Sequence, residues 1–526
     1  MRPRTPRLSF PLTARRVFVV AWVYFLALSS LWALASPIMS APDEPAHAVK
    51  AAAVVRGQWL GQSSGVQGEW LKVEVPEYIA GLHAVPTCYA HKPDQSAGCA
   101  PSIRNLGTSP TESSTSAGNY NPLYYSVVGV STLITSGQKA IYGMRLITAL
   151  WCSLFFALAL AFAHMLWPRR LPLIVMGAGV TPMCLFLAGS INPNPVEIAT
   201  TLCAFVCAYA MLECGFAHAR LASLVFGVSA FILANLRGLS VAWLAVVLVG
   251  AVMLQWRPDL LAKAPRTVWI GLTLAAIGVG LGVAWQFVSN SFESLGGSAV
   301  KDTPAQVVSV MLERSFDYAK EYVGVMGWLD TALPNVTYAV WDGAAAVLLV
   351  GCVAIWRGRR RLAVLLLMAV ILVLPAVVQV PAAPQVGYIW QGRYILPLVV
   401  VLFAAGGIAL EAVDVRHGVG RNVLKLALGS LVVANAYGFL WVLRRYVTGL
   451  RPDLFWENLF ASPLWQPPGG WPIIAGLYAL VTLAAALVSI KYVSSSTEGR
   501  KPGRAIEPVL DGAARPVVHA DAGETR

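Results

Sequence analysis

Charged residues are scarce in this sequence. Only 12% of its 526 residues are charged, whereas 57% are hydrophobic and the mean hydropathy is +0.63. Soluble domains carry about 25% charged residues, so this composition excludes a soluble globular protein. Apolar runs recur along the chain, and a run of about 20 residues can cross the hydrocarbon core of a bilayer as a helix. Because the short alternating segments of a membrane β-barrel are absent, the sequence predicts an all-α, polytopic bundle of transmembrane helices.

Acidic residues are the scarcer of the two charge classes. The chain has 26 Asp and Glu against 39 Lys and Arg, which gives a net charge of +13. The basic residues lie in short loops between hydrophobic runs, as the positive-inside rule describes. A nucleic-acid-binding surface would instead gather them on one face. We therefore expect membrane lipid as a partner and no nucleic acid.

Cysteine is sparse as well, with eight residues in the chain. Six of them fall in apolar segments and are expected to pack as small hydrophobic residues. The other two, Cys88 and Cys99, share one polar loop. If that loop faces an oxidising compartment, we expect a disulfide between them. Their spacing does not match a zinc site.

Twelve apolar runs are predicted to cross the membrane, with both termini in the cytoplasm. Five arginines precede the first run, and the most basic loop in the chain is 357–361. The twelve runs are 17–39, 146–167, 171–189, 196–215, 221–235, 239–256, 267–288, 337–356, 362–380, 394–411, 422–442 and 471–490. In this topology Arg444, Arg445 and Arg451 fall outside, against the positive-inside rule.

Two long outer loops, 40–142 and 289–336, separate these runs. The first is expected to contain a short interfacial or re-entrant helix at 121–135 and an irregular section at 94–119, which is rich in Ser, Gly and Thr. Residues 1–492 are taken as one transmembrane domain. The polar tail 493–526 is predicted to be disordered and cytoplasmic.

The first outer loop opens with the sequence Pro42-Asp43-Glu44-Pro45-Ala46-His47. Prolines break the hydrogen-bond ladder of a helix, so the carboxylates are expected on a constrained turn at the membrane surface. In glycosyl transfer a carboxylate removes the proton of the attacking hydroxyl. A second carboxylate and a histidine could orient that base or hold a divalent cation such as Mg²⁺ or Mn²⁺. The simpler interpretation is a polar end to a helix.

Further unusual polar residues are predicted on the same outer side. Arg393 with Tyr394 suits a bidentate phosphate contact, although snorkelling to the interface is an equal alternative. For Arg145 and Arg237, phosphate binding and helix-end anchoring are also equal alternatives. Asn192 is also a candidate substrate-binding residue, and its alternative role is that of a turn residue before a helix. The remaining candidate substrate-binding residues are Tyr124, Trp328 and Asp330.

Four of these motifs together resemble a bacterial membrane-protein family of unknown function that is grouped with the GT-C glycosyltransferases. The motifs are Pro42-Asp43-Glu44-Pro45-Ala46-His47, Asn192-Pro193-Asn194, Gly327-Trp328-Leu329-Asp330 and Gln391-Gly392-Arg393-Tyr394-Ile395-Leu396-Pro397. The resemblance implies a helical bundle with a catalytic carboxylate in its first outer loop, which falls on Asp43 with Glu44 as the adjacent candidate. It leaves metal dependence open.

The resemblance also implies a function and a location. Such enzymes take sugars from polyprenyl-phosphate-linked donors and transfer them to acceptors outside the membrane. We therefore expect a glycosyltransferase of the bacterial inner membrane, with a cell-envelope glycan or lipid-linked acceptor. The alternatives are a transporter or flippase for lipid-linked glycans, and a non-catalytic subunit of an envelope-synthesis complex.

Overall fold

The computed structural model describes residues 13–66, 68–167, 170–214, 220–255, 266–290, 298–413, 415, 417–451, 453 and 455–494. The chain is mostly helical, at about 72%. The helices are α1 (Ala14–Ala35), α2 (Glu44–Val54), α3 (Glu77–Ala80), α4 (Pro122–Val128), α5 (Ser131–Ile134), α6 (Gly137–Leu166), α7 (Leu171–Gly179), α8 (Pro182–Ala188), α9 (Asn194–Cys214), α10 (Arg220–Ala234), α11 (Ser240–Leu254), α12 (Arg266–Val288), α13 (Pro304–Glu313), α14 (Ser315–Val323), α15 (Asn335–Ile355), α16 (Gly358–Val386), α17 (Leu396–Ala409), α18 (Gly418–Val447), α19 (Asn458–Ala461) and α20 (Trp471–Ser494). The strands are β1 (Leu71–Pro76), β2 (Pro110–Thr115), β3 (Val325–Met326) and β4 (Thr331–Ala332).

Within the described ranges, eight helices are long and apolar enough to cross a membrane, which agrees with a multi-pass helical membrane protein. They are α1, α6, α9, α12, α15, α16, α18 and α20. Helices α7 and α8 would add a ninth span, bent by 63° where Pro182 opens α8. Helices α10, α11 and α17 have only 14 or 15 residues. All twelve predicted runs are thus helical, but the count of twelve spans stays a prediction.

The central helices and the outer helices of the bundle differ in burial. Every residue of α17 is buried, and so is 94% of the apolar stretch of α9. In α12, α15, α16, α18 and α20 at most 28% of that stretch is buried. A helix that is apolar all round belongs in a core or against lipid. Two central helices are therefore surrounded by helices with apolar outward faces.

The segment between α1 and α6 is more ordered than the sequence predicts. Strand β2 pairs antiparallel with β1, with Thr115 opposite Leu71. The prediction of an irregular section at 94–119 was therefore wrong for 110–115, where the strand is formed by backbone pairing with the alternating β1.

Cys88 and Cys99 form the disulfide that the sequence predicts, with an S–S distance of 2.06 Å. The short apolar piece at 121–135 forms α4 and α5. The predicted tail lies outside the described residues from 495 onward.

Arg445 of α18 connects three parts of the chain. Its guanidinium donates to the backbone oxygens of Tyr89 at 2.8 Å and Gln95 at 3.0 Å, and its Nη2 lies 2.9 Å from Oδ2 of Asp330. The arginine is fully buried and its charge is balanced by a carboxylate. Arg445 therefore belongs at the same end of the bundle as the two long loops, and its position is explained by pairing. Arg444 packs on the Trp456 ring, 4.8 Å from its centroid.

Candidate functional site

Asp43 lies at the turn between α1 and α2. Its backbone is in the left-handed region, with φ +64°, which few residues except Gly, Asn and Asp adopt readily. Oδ2 of Asp43 accepts a hydrogen bond from Nη2 of Arg393 at 2.5 Å, and 47% of the Asp43 side chain is exposed. Burial of the carboxyl raises the pKa of Asp43, but the charge of Arg393 and its hydrogen bond oppose this, so the pKa is held below its usual range. The carboxyl is therefore ionised and accessible at neutral pH.

Arg393 reaches Asp43 from a short 3-10 helix, Gly392–Tyr394, just before α17. The backbone N–H of Gly392 donates to Glu321 of the second long loop at 2.5 Å. A Cβ at Gly392 would lie 2.7 Å from Cβ of Glu321, so only glycine permits this approach. Arg393 is 1% exposed, and its Nε has no hydrogen-bond partner.

His47 occupies the first turn of α2, beside Asp43. Its Nδ1 shares a hydrogen bond of 2.8 Å with the hydroxyl of Tyr125, and its ring lies 5.9 Å from that of Tyr120. Burial lowers the pKa of His47 to about 3, and the pairing with Asp43 does not offset this. The imidazole is therefore neutral at physiological pH.

Glu44 has surroundings quite different from those of Asp43. It forms a bidentate ion pair with Arg145 at 2.7 and 2.8 Å, and both side chains are fully buried. Glu44 also accepts from the backbone N–H of Ala41 and Ile191, and Arg145 donates to three carbonyl oxygens at the end of α1. This pair ties α1, α2, α6 and the turn before α9 together. The geometry gives both residues a structural role.

The other residues predicted from sequence lie apart from Asp43 in contacts of their own. The Tyr124 hydroxyl bonds Thr148 at 2.8 Å, and Asn192 accepts from the N–H of Asn194 at 2.9 Å. Trp328 donates to the backbone oxygen of Met39 at 3.0 Å. Asp330 is paired with Arg445, as described above. Asn192 is thus the turn residue that its type indicates.

A cavity of about 560 Å³ has Tyr394, the residue after Arg393, in its wall. It lies between the α10–α11 turn, α12 and the C-terminal part of α16. Aromatic rings and polar side chains share its wall, a combination typical of small-molecule sites. The aromatic lining residues are Tyr120, Trp243, Trp285, Trp390 and Tyr394, and the polar ones are Asn121, Glu197, Asn235, Arg237, Gln286, Gln379 and Gln385. Tyr394 connects the cavity to the pair, because Arg393 lies 5.4 Å from the centroid of its ring.

Arg237 is the cation on the wall of this cavity. Its guanidinium carbon lies 4.5 Å from the centroid of the Tyr394 ring, and its Nη1 lies 3.7 Å from Oε2 of Glu197. The charge of Arg237 also acts on Asp43 and His47. The sequence placed Arg237 at a turn but gave no reason to prefer it. In the sequence Arg237 stands out as an arginine between two apolar runs. Anchoring of a helix end explains such an arginine as well as ligand binding does.

The corner at Asp43, Glu44 and His47 was predicted as a possible metal site. Among the described residues, no three His, Cys, Asp or Glu side chains converge in a way that could hold a metal ion. Glu44 is occupied by Arg145, and His47 by Tyr125. The suggested cation site at Asp43, Glu44 and His47 thus has no preformed ligand set here.

Comparison with known proteins identifies a family. A family described as predicted membrane protein (DUF2142) matches residues 26–402, a stretch that contains Asp43, Arg237 and Arg393. No curated protein matches the chain.

Proposed function

Since the chain belongs to the DUF2142 family of predicted membrane proteins, we propose that it is a membrane glycosyltransferase of GT-C type. It transfers a sugar from a polyprenyl-phosphate donor to a cell-envelope glycan or lipid-linked acceptor. The reaction takes place on the outer face of the bacterial inner membrane, at Asp43. The twelve-span topology with both termini in the cytoplasm is part of this proposal.

The observation that carries the proposal is the Asp43–Arg393 pair beside the cavity. Of the two carboxylates at this corner, only Asp43 is accessible, and it is ionised at neutral pH. An ionised carboxylate can accept the proton of an acceptor hydroxyl as its oxygen bonds to the anomeric carbon. The bond from that carbon to the phosphate oxygen breaks, and polyprenyl phosphate leaves. Arg393 holds the base in position for this step.

The cavity supports a sugar as the substrate. Its aromatic rings offer faces on which a pyranose can stack, and its amide side chains offer donors and acceptors for hydroxyl groups. Its volume of about 560 Å³ falls within the range of about 300–1,000 Å³ seen for small-molecule sites.

The substitution Asp43→Asn tests the proposal. The amide keeps the shape of the side chain but cannot take up the proton, so we expect transfer from a labelled polyprenyl-phosphate sugar to fall by about 10²-fold or more. Asp453→Asn is the matched control, because Asp453 is exposed and pairs only with Arg451. Full transfer activity in a correctly folded Asp43→Asn protein would overturn the assignment. Movement of a lipid-linked glycan across sealed vesicles without any transfer would favour the flippase alternative.

A further inference from the structure

We propose that the cavity contains an anion-binding site centred on Arg237, which takes the phosphate group of a phosphate ester. The identification of that ester with the sugar donor rests on the proposed function; the binding site itself does not. For Arg393 the sequence predicted a phosphate contact and snorkelling to the interface as equal alternatives. In the structure Arg393 is paired with Asp43, which leaves Arg237 for the phosphate.

The first observation is the unused hydrogen-bonding capacity of Arg237. A guanidinium carries N–H donors in a planar fork and has no acceptor. Among the described residues, none accepts a hydrogen bond from those donors, and the carboxylate oxygen of Glu197 that pairs with Arg237 lies 3.7 Å away. The buried guanidiniums of Arg145 and Arg445, in contrast, bind several oxygens each. The Arg237 side chain is held in position, but its N–H donors are not engaged in hydrogen bonds to the described residues.

The second observation explains why Glu197 does not satisfy Arg237. Oε1 of Glu197 accepts from the hydroxyl of Ser240 at 2.5 Å, and Oε2 accepts from the Asn194 side chain at 3.1 Å. These bonds hold the carboxylate, which is 1% exposed, at ion-pair distance from Arg237. Glu197 is thus a positioning residue, and the N–H groups remain for a ligand in the cavity.

The third observation is a set of buried donors without partners next to Arg237. Among the described residues, neither the buried Nε of Arg393 nor the buried indole Nε1 of Trp390 has a hydrogen-bond partner, and Trp390 lines the cavity. Buried donors without partners are rare in native proteins, because their desolvation is not compensated. Arg237 and Arg393 both lie against the ring of Tyr394, another residue of the cavity wall. The positive charge of the two guanidinium groups favours an anion at this wall.

Phosphate fits these donors better than a neutral ligand does. Arginine binds phosphate oxygens in bidentate fashion, and such charge-assisted bonds are stronger than neutral ones. The two arginines then have different roles. Arg393 keeps Asp43 in position, while Arg237 is free to receive the phosphate that departs with the lipid.

The test is ligand binding by the full chain in a maltoside detergent, which carries no phosphate. Affinity is measured by isothermal titration calorimetry, because three of the chain's 18 tryptophans line the cavity and intrinsic fluorescence would not be specific to it. The probes are inorganic phosphate and a short-chain isoprenyl monophosphate. We expect Arg237→Gln to weaken binding of the probes at least tenfold and Arg237→Lys to weaken it less. Arg451→Gln, at an exposed arginine, should leave binding unchanged.

Each result decides a separate question. Unchanged affinity in Arg237→Gln, or an equal loss in Arg451→Gln, would overturn the anion site. Tighter binding of the isoprenyl phosphate than of inorganic phosphate assigns the site to a lipid-linked phosphate, and equal binding assigns it to a soluble one. Loss of probe binding in Arg237→Gln, together with a wild type that transfers no sugar, would keep this site and refute the glycosyltransferase. If Arg237→Gln transfers sugar with an unchanged donor KM, the glycosyltransferase assignment is kept and the identification of the site with the sugar donor is refuted.

Discussion

Two adjacent carboxylates, Asp43 and Glu44, face opposite surroundings. Asp43 has a left-handed backbone and a half-exposed side chain, whereas Glu44 begins α2 and is fully buried with Arg145. Two consecutive positions thus carry an accessible carboxylate, Asp43, and a buried carboxylate, Glu44, that holds helices together. The two residues should respond differently to the same substitution.

Glu44→Gln should destabilise the protein. Removing one partner of a buried ion pair leaves the other charge uncompensated, and this costs about 3–5 kcal/mol. We expect a large drop in the midpoint of unfolding in a mixed-detergent titration. Lys72→Met breaks the exposed Lys72–Glu112 pair and should cost about 0–1 kcal/mol. Similar losses in the two variants would contradict the structural role of Glu44.

His47 makes the stability depend on pH. Burial lowers its pKa to about 3, whereas a histidine in an unfolded chain has a pKa of about 6.5. Between these values the unfolded chain binds more protons, so the free energy of unfolding falls with falling pH, by at most about 1.4 kcal/mol per pH unit. His47→Gln should flatten the plot of thermal midpoint against pH in this window. The exposed His417→Gln variant is the control, and a His47→Gln slope as steep as that of the wild type would refute the prediction.

For single residues, the sequence predicted which side chains are unusual better than it predicted the residues that they contact. The corner at 42–47 and Arg393 were identifiable because carboxylates, a histidine and an arginine are unusual beside apolar runs. The Arg145–Glu44 pair spans 101 positions, and no local pattern encodes it. The same holds for Arg237, because the lack of hydrogen bonds to its guanidinium among the described residues depends on its surroundings in space and not on neighbours in sequence.

The packing of α10 on α12 is set by glycines. A Cβ at Gly278 would lie 2.5 Å from Cα of Phe231, and one at Gly282 would lie 2.2 Å from the backbone oxygen of Ala234. Such close approach of backbones is typical of helix pairs in membranes. Gly282 also lines the cavity, so this crossing shapes the wall that faces the ligand.

Gly278→Ala should therefore separate α10 and α12 and lower both stability and phosphate binding. Gly280→Ala is the matched control, since no described residue outside the local turn of its own helix has an atom within 4 Å of the added Cβ. On helix propensity alone, alanine is better than glycine by about 1 kcal/mol, so the control should be neutral or slightly stabilising. Thermal unfolding and probe affinity are the measurements. An equal effect of both substitutions would show that helix propensity, and not the close crossing, decides.

Helices were easier to predict than strands in this chain. Every apolar run that was assigned to a span is helical, because length and hydropathy alone specify such a helix. The strand β2 has the polar sequence Pro-Thr-Glu-Ser-Ser-Thr, which reads as a loop. Only its pairing with β1 shows that it is a strand, and this pairing joins segments far apart in sequence.

The whole molecule places its long loops at one end and its basic loop at the other in the predicted topology. Ser109 lies in the first long loop and Arg359 in the basic loop, and both are exposed. In sealed vesicles of known orientation, a membrane-impermeant thiol reagent should label Ser109→Cys and Arg359→Cys from opposite sides. Five native cysteines, namely Cys152, Cys184, Cys203, Cys207 and Cys352, are buried, and Cys88 and Cys99 are disulfide-bonded. Labelling of both positions from one side would contradict this arrangement.

The connection made by Arg445 has a consequence for biosynthesis. Gln95 leaves the ribosome 350 residues before Arg445, and at about 5–20 residues per second this interval is on the order of tens of seconds. During that time the early loop must keep its carbonyl oxygens arranged without the cation that later binds them. The Cys88–Cys99 disulfide encloses that segment and can form as soon as it is made. A nascent chain that stops before α18 would therefore contain Asp43 and Arg393 but would lack the guanidinium that binds the carbonyl oxygens of Tyr89 and Gln95. The first long loop gains this cation only when the penultimate long helix has been made.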